Sequence, residues 1–335
     1  MWAALKRHRV LAGILTLVVA IAVGVGGWWF FVRNDPDRDC AGLRTDAGVR
    51  TTLGPDWRAD LPCGELADGL RRATTGDRPG VHTVEQANAM LTIVKALGKR
   101  EDHHVHPAVR RPLAEALADY AADTHVMLAG PNFAYGEHER GGDGAAWQDE
   151  KGVHFVVYDL LLLRAMRGLS EDPTAYAVLR TADLRKAAEG FAAIGANVTE
   201  SEVRYRAIAA ALPAGGFDAI ADDVLHRRDT GSGRTWLTTA RARLQAEKAS
   251  PAPDFATDRA GALTAGSLAK LSAAAPDGYD GLLPWSSQTQ DLLTAWAEAS
   301  HASLSPSFLE SLRTEASAST QTGRTKPTVN HPRPW

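Results

Sequence analysis

The longest uninterrupted apolar stretch runs from Val10 to Val32, VLAGILTLVVAIAVGVGGWWFFV, and contains no charge. At 1.5 Å per helical residue it spans roughly 34 Å, enough for a hydrocarbon core of about 30 Å. The pattern predicts a membrane helix over residues 10–32. Beyond it the apolar positions fall three or four apart, the signature of amphipathic helices. Thr83 to Gln86 is a capping box, followed by Val84, Ala87, Leu91, Val94 and Leu97. Pro107 or Pro112 opens the next helix, with Val109, Leu113, Leu117 and Tyr120 on one face. Asp172-Pro173 starts another, with Tyr176, Leu179, Leu184, Ala187, Phe191 and Ile194 as its stripe, and Thr199 to Glu202 is a second capping box. Leu212 to Gly216, with Pro213, Gly215 and Gly216, reads as that helix's end. The stretch from Gly130 to Gly152 breaks the rhythm and predicts a long loop, after which Val153 to Tyr158 is one short strand or the start of a helix.

The expected fold is therefore all-α: a single transmembrane helix, then an exported multi-helix domain, then a disordered C-terminal tail. The expected segments are a cytoplasmic stub 1–9, the membrane helix 10–32 and a stalk with a disulfide-bearing lead-in 33–65. A main helical domain 66–245, a linker 246–258, C-terminal helices 259–313 and a tail 314–335 complete them. The tail is assigned to disorder because it is poor in large apolar residues.

Charge sets the orientation. Lys6, Arg7 and Arg9 precede the apolar run, leaving 34 cations against 40 acidic residues for the remainder. Cations before the span and Asp35, Asp37 and Asp39 after it place the N-terminus in the cytoplasm and the bulk outside, with Trp28 and Trp29 at the outer interface. A cleaved signal peptide ending at Ala20-Ile21-Ala22 is the alternative, and it too exports the domain. The net charge of -3 and the absence of a cationic patch exclude nucleic acid as a partner. The two cysteines, Cys40 and Cys63, fit an oxidising compartment and are expected to pair.

Candidate chemistry is sparse. Six of the eleven histidines lie between residues 103 and 154, among acidic residues. His103, His106 and His138 are the candidate ligands of a zinc ion, the basis for a metal-dependent envelope hydrolase. There is no HExxH motif, no GxSxG elbow and no muramidase signature after a catalytic Glu. Trp147, set among polar loop residues, is the candidate contact residue of an interaction surface. The leading functional expectation is a membrane-anchored interaction or scaffold domain, engaging a protein partner outside the cytoplasm as an accessory to a secretion or envelope machine. The hydrolase is the alternative.

The ordered segments LADGLRRATTG, HTVEQANAM, RRPLAEALADYAADTH and LLRAMRGLSEDPTAYAVL, within residues 66–193, resemble an uncharacterised family of helical actinobacterial proteins loosely associated with type VII secretion and polymorphic-toxin modules. The resemblance implies an all-α domain and carries no catalytic motif.

Overall fold

The computed structural model describes residues 40–100, 104–130, 133–139, 144–195, 198–247, 252–273, 287–300 and 302–326. Within them the chain forms a multi-helix domain with one β-hairpin. Helices α1 (Ala41–Thr45), α2 (Ala47–Leu53) and α3 (Cys63–Thr74) come first, then α4 (Val84–Gly98), α5 (Pro107–Ala118), α6 (Ala121–Ala129) and α7 (Phe133–Glu139). Strands β1 (Ala145–Asp149) and β2 (Gly152–Val156) follow. Next are α8 (Asp159–Leu169), α9 (Pro173–Ala192), α10 (Glu200–His226), α11 (Thr230–Ala246), α12 (Arg259–Ala273), α13 (Gln288–Ser300) and α14 (Pro306–Arg324).

The capping signals read from the sequence set several of these starts. Thr83 accepts the Gln86 N–H while the Gln86 side chain accepts the Thr83 N–H, closing the expected box. Asp172 caps α9 through the Thr174 N–H and Thr199 caps α10 through the Glu202 N–H. Each satisfies one of the backbone donors that a helix leaves unpaired at its start.

Helix α9 is the axis of the domain, packed against α5, α6, α8, α10, α11, α12 and α13. Its buried positions occupy every side, from Ala175 and Tyr176 to Ala188 and Phe191, as burial on all faces requires. Charged residues of α9 and α10 are enclosed with it. Arg180 is 1% exposed and pairs with Asp218, which is fully buried, while also donating to Gln288 and Tyr176. A second buried ion pair joins Arg167 to Asp223, with Glu171 and Arg228 completing the chain of charges.

Three expectations are corrected. Among the described residues no helix is long and apolar enough to cross a membrane. Even α10, at 27 residues, carries Glu200, Glu202, Arg204, Arg206, Asp218, Asp222 and Asp223. The expected span 10–32, its interface residues Trp28 and Trp29, and the stub 1–9 lie outside the described residues. The single-pass, exported topology, with the membrane and an extracytoplasmic protein as partners, gives way to a multi-helix domain without a membrane-crossing helix among its described residues.

The second correction concerns α10, which passes through Pro213, Gly215 and Gly216 without ending. A Cβ on Gly215 would collide with the Thr320 backbone oxygen of α14, and one on Gly323 with the Leu212 oxygen of α10. These glycines let two backbones touch.

The third follows from the same contact. Residues 314–324, expected as disordered tail, continue α14 and bury Ala316, Thr320 and Gly323. The helix is anchored by Arg324, whose two nitrogens reach the two Asp222 oxygens at 2.6 and 2.9 Å. Small residues replace large ones as the packing surface, so an argument based on large apolar side chains misses it.

Candidate functional site

The sequence-derived candidates converge in part, around the hairpin. The turn at Glu150 and Lys151 brings β1 and β2 into antiparallel register, placing Trp147 opposite His154. Gly152, at φ 139°, supplies the backbone geometry that a side chain disfavours. Below the hairpin, Asp123 of α6 is 2% exposed and accepts three hydrogen bonds: from Tyr135 Oη at 2.6 Å, His154 Nδ1 at 2.8 Å and the Phe155 N–H at 3.2 Å. The other ring nitrogen, His154 Nε2, lies 3.1 Å from Asp149 Oδ1. Asp149 also accepts the Lys151 N–H at 2.7 Å.

Two carboxylates at the two nitrogens of one imidazole favour the doubly protonated ring. The hydrogen bond to Asp123 raises the His154 pKa above the usual histidine value, and Asp149 adds to it. Asp149 is held below the ordinary carboxylate range, chiefly by the Lys151 backbone N–H and further by His154. Burial and the adjacent Asp123 charge push Tyr135 up, so its hydroxyl stays protonated and donates. Trp147 covers the cluster. Its ring stacks on His138 with centroids 4.1 Å apart and meets the edge of Tyr135 at 5.1 Å. Both ring nitrogens of His154 are taken up by carboxylates, Nδ1 by Asp123 and Nε2 by Asp149. The cluster is a clamp joining α6, α7 and the hairpin.

The candidate metal ligands do not assemble. His106 turns its Nδ1 onto the Ala108 N–H, 3.2 Å away, as the cap of α5, and His138 lies flat on Trp147, while His103 lies outside the described residues. Among the described residues no group of three or more His, Cys, Asp or Glu is placed to hold a metal ion. The zinc hydrolase reading is corrected accordingly. Glu137 and His138, expected in an unstructured glycine-rich loop, belong to the short helix α7. Cys40 and Cys63 form the expected disulfide, their Cα atoms 5.9 Å apart, tying the entry of α1 to the first residue of α3.

A different feature was not visible in the sequence. A cleft of about 440 Å³ opens where α3, α5, α9 and α11 meet. Arg71 and the loop Thr75 to Pro79 form one wall, Glu115 and Asp119 a second, Thr181 and Arg185 the floor, and Glu247 the far rim. The loop is held in shape. Gln86, after capping α4, donates its side-chain amide to the Thr75 oxygen at 2.8 Å, and the Gly80 N–H donates to Asp119 Oδ1 at 2.7 Å. Thr181 is 1% exposed, and its hydroxyl has no hydrogen-bond partner among the described residues. A second cleft of about 270 Å³ adjoins the first, lined by Glu189, Pro253, Asp258 and Thr264. The two share Arg185 and Glu247, whose side chains pair at 3.1 Å.

No family model, no curated protein and no solved structure matches the chain.

Proposed function

We propose that this helical domain binds a small polar ligand in the cleft between α3, α5, α9 and α11. The observation that carries the reading is the preformed concavity of about 440 Å³ itself, with charged groups of both signs at its edge. The cleft sets Arg71, Asp77, Glu115, Asp119, Arg185 and Glu247 around the apolar Ala116, Val178 and Ala182, and its loop is pinned by Gln86 and Asp119. Ligand sites characteristically combine such a preformed concavity with a few convergent polar groups.

The test is a thermal-shift screen of the full chain with small polar molecules, run in parallel on Ala182→Trp, which places an indole in the cleft. Binding to the native state alone raises the melting temperature with ligand concentration. The expected result is a ligand-dependent rise that A182W abolishes while the variant's own transition stays cooperative. Shifts that persist in A182W, or an absence of any A182W-sensitive ligand, overturn the reading.

A further inference from the structure

Independently of the cleft, the hairpin leaves one strand edge open, and we infer that a second copy of this chain pairs with it. The bonding parity of the hairpin decides which edge. In an antiparallel pair, opposed residues alternate between those that exchange both backbone bonds and those whose N–H and C=O point away from the partner strand. Phe155 sits opposite Ala146, and its N–H leaves the hairpin to reach Asp123 Oδ2 at 3.2 Å. Phe155 and Ala146 are therefore an outward-facing pair, Trp147 and His154 exchange bonds, and Gln148 and Val153 face outward again.

The two outer edges are finished differently. That of β2 is covered by α6: Asp123 takes the Phe155 N–H, and Met127 Sδ takes the Val157 N–H at 3.3 Å. On β1 the outward N–H and C=O groups of Ala146 and Gln148 have no hydrogen-bond partner among the described residues, and Gln148 is exposed. Natural edges are commonly blunted by lysine, proline or an inward-pointing charge. In β1 the one charge, Asp149, stands at the last position.

The occupant follows from the length and symmetry of this edge. Gly144, at φ 71°, stops the strand on one side and the turn at Glu150 and Lys151 stops it on the other. Only Ala146 and Gln148 present bonds, and two such edges related by a two-fold axis satisfy each other. Ala146 exchanges both bonds with Gln148 of the second copy, and Gln148 exchanges both with its Ala146, four bonds in all. Sliding the pairing to centre on Ala146 or on Gln148 keeps two of the four.

The side chains suit the same register. The axis passes between the two copies of Trp147, which meet as a directly opposed pair at a non-bonded position, where side chains approach closest. Each indole is already held against His138, with centroids 4.1 Å apart, so pairing costs little further ordering. Asp149 falls opposite Ala145 of the other copy, and no like charges face each other across the seam.

Sedimentation velocity of the full chain across the micromolar range tests this. The wild type should pass from monomer to dimer with concentration. Gln148→Pro removes an outward N–H without touching a hairpin bond. It deletes two bonds per dimer and should raise the dissociation constant about 25-fold, roughly fivefold for each bond. Gln148→Ala keeps the backbone donor and should dimerise like the wild type. A wild type monomeric throughout overturns the inference and gives the edge to an extended peptide or to solvent. A dimer that withstands Q148P, or an equal loss in Q148A, overturns it too. Hydrogen exchange of the wild type gives a reading that does not depend on Q148P folding. The Ala146 and Gln148 amides should slow with protein concentration while the Phe155 amide, bonded to Asp123, stays constant; exchange at Ala146 and Gln148 that is independent of concentration rejects the pairing.

Discussion

Arg180 Nη1 and Asp218 Oδ1 lie 2.8 Å apart in the centre of the domain, and neither side chain is more than 1% exposed. Such a pair adds little net stability compared with an apolar core, but losing one member strands the other. Arg180→Met should lower stability by about 3–5 kcal/mol, read as a shift in the urea midpoint at pH 7. The double variant R180M/D218L should recover most of that loss. Equal stability of R180M and wild type would show the pair to be energetically idle.

Asp218 also sets a pH dependence. Burial pushes its pKa up to about 6, against the pull of Arg180. Between those two values its native form holds a proton that the unfolded chain, near 3.8, has released. Asp218 contributes a stability that declines as pH rises from about 4 to about 6 and is level above that. Asp218→Asn should remove this part of the slope.

His154 acts over a different window. Its raised pKa means that its contribution is fully present below 6.5 and is lost as pH rises through the higher native value. A neutral ring donates through one nitrogen only, so either Asp123 or exposed Asp149 must lose its bond. Urea midpoints compared on either side of this transition should fall with rising pH in the wild type and less steeply in His154→Gln. Identical slopes would dismiss the clamp as a source of pH sensitivity.

The disulfide should matter in proportion to the loop it closes. Cys40 and Cys63 are 23 residues apart, and replacing both with Ala is expected to cost about 3 kcal/mol by the chain-entropy argument. A denaturation midpoint unchanged by the replacement would mean that Leu43, Val49 and Leu53, already buried, hold this segment unaided.

Helix starts were legible because capping is local chemistry: Thr83, Asp172 and Thr199 each announce a start within four residues. The hairpin was half legible. Val153 suggested a strand, but its partner strand contains Trp147 and sits among glycines and charges, and pairing between strands leaves no local mark. The buried charges Arg180 and Asp218 were illegible, since a hydrophobicity pattern sends charged residues to solvent and their partner lies 38 positions away. The cleft was hidden for a similar reason: Arg71, Asp119, Thr181 and Glu247 come from four distant parts of the chain.

Glycine substitutions separate packing from flexibility. Gly323→Ala inserts a methyl against the Leu212 oxygen and Gly215, and should cost about 1–3 kcal/mol. Gly266, exposed in α12 with nothing within 4 Å of a built Cβ, is the control: Gly266→Ala should be stabilising, by about 0.4–1 kcal/mol. Thermal unfolding of the two variants checks both signs, and a harmless G323A would refute the close contact.

The contact between α10 and α14 also fixes an order of events during synthesis. Asp222 waits for Arg324, which is made 102 residues later. At ribosomal speeds of about 5–20 residues per second, that interval is roughly 5–20 seconds. For that time a newly made α10 displays the Gly215 face and an unpartnered Asp222 to the surroundings, and the domain can close only when its last described helix arrives.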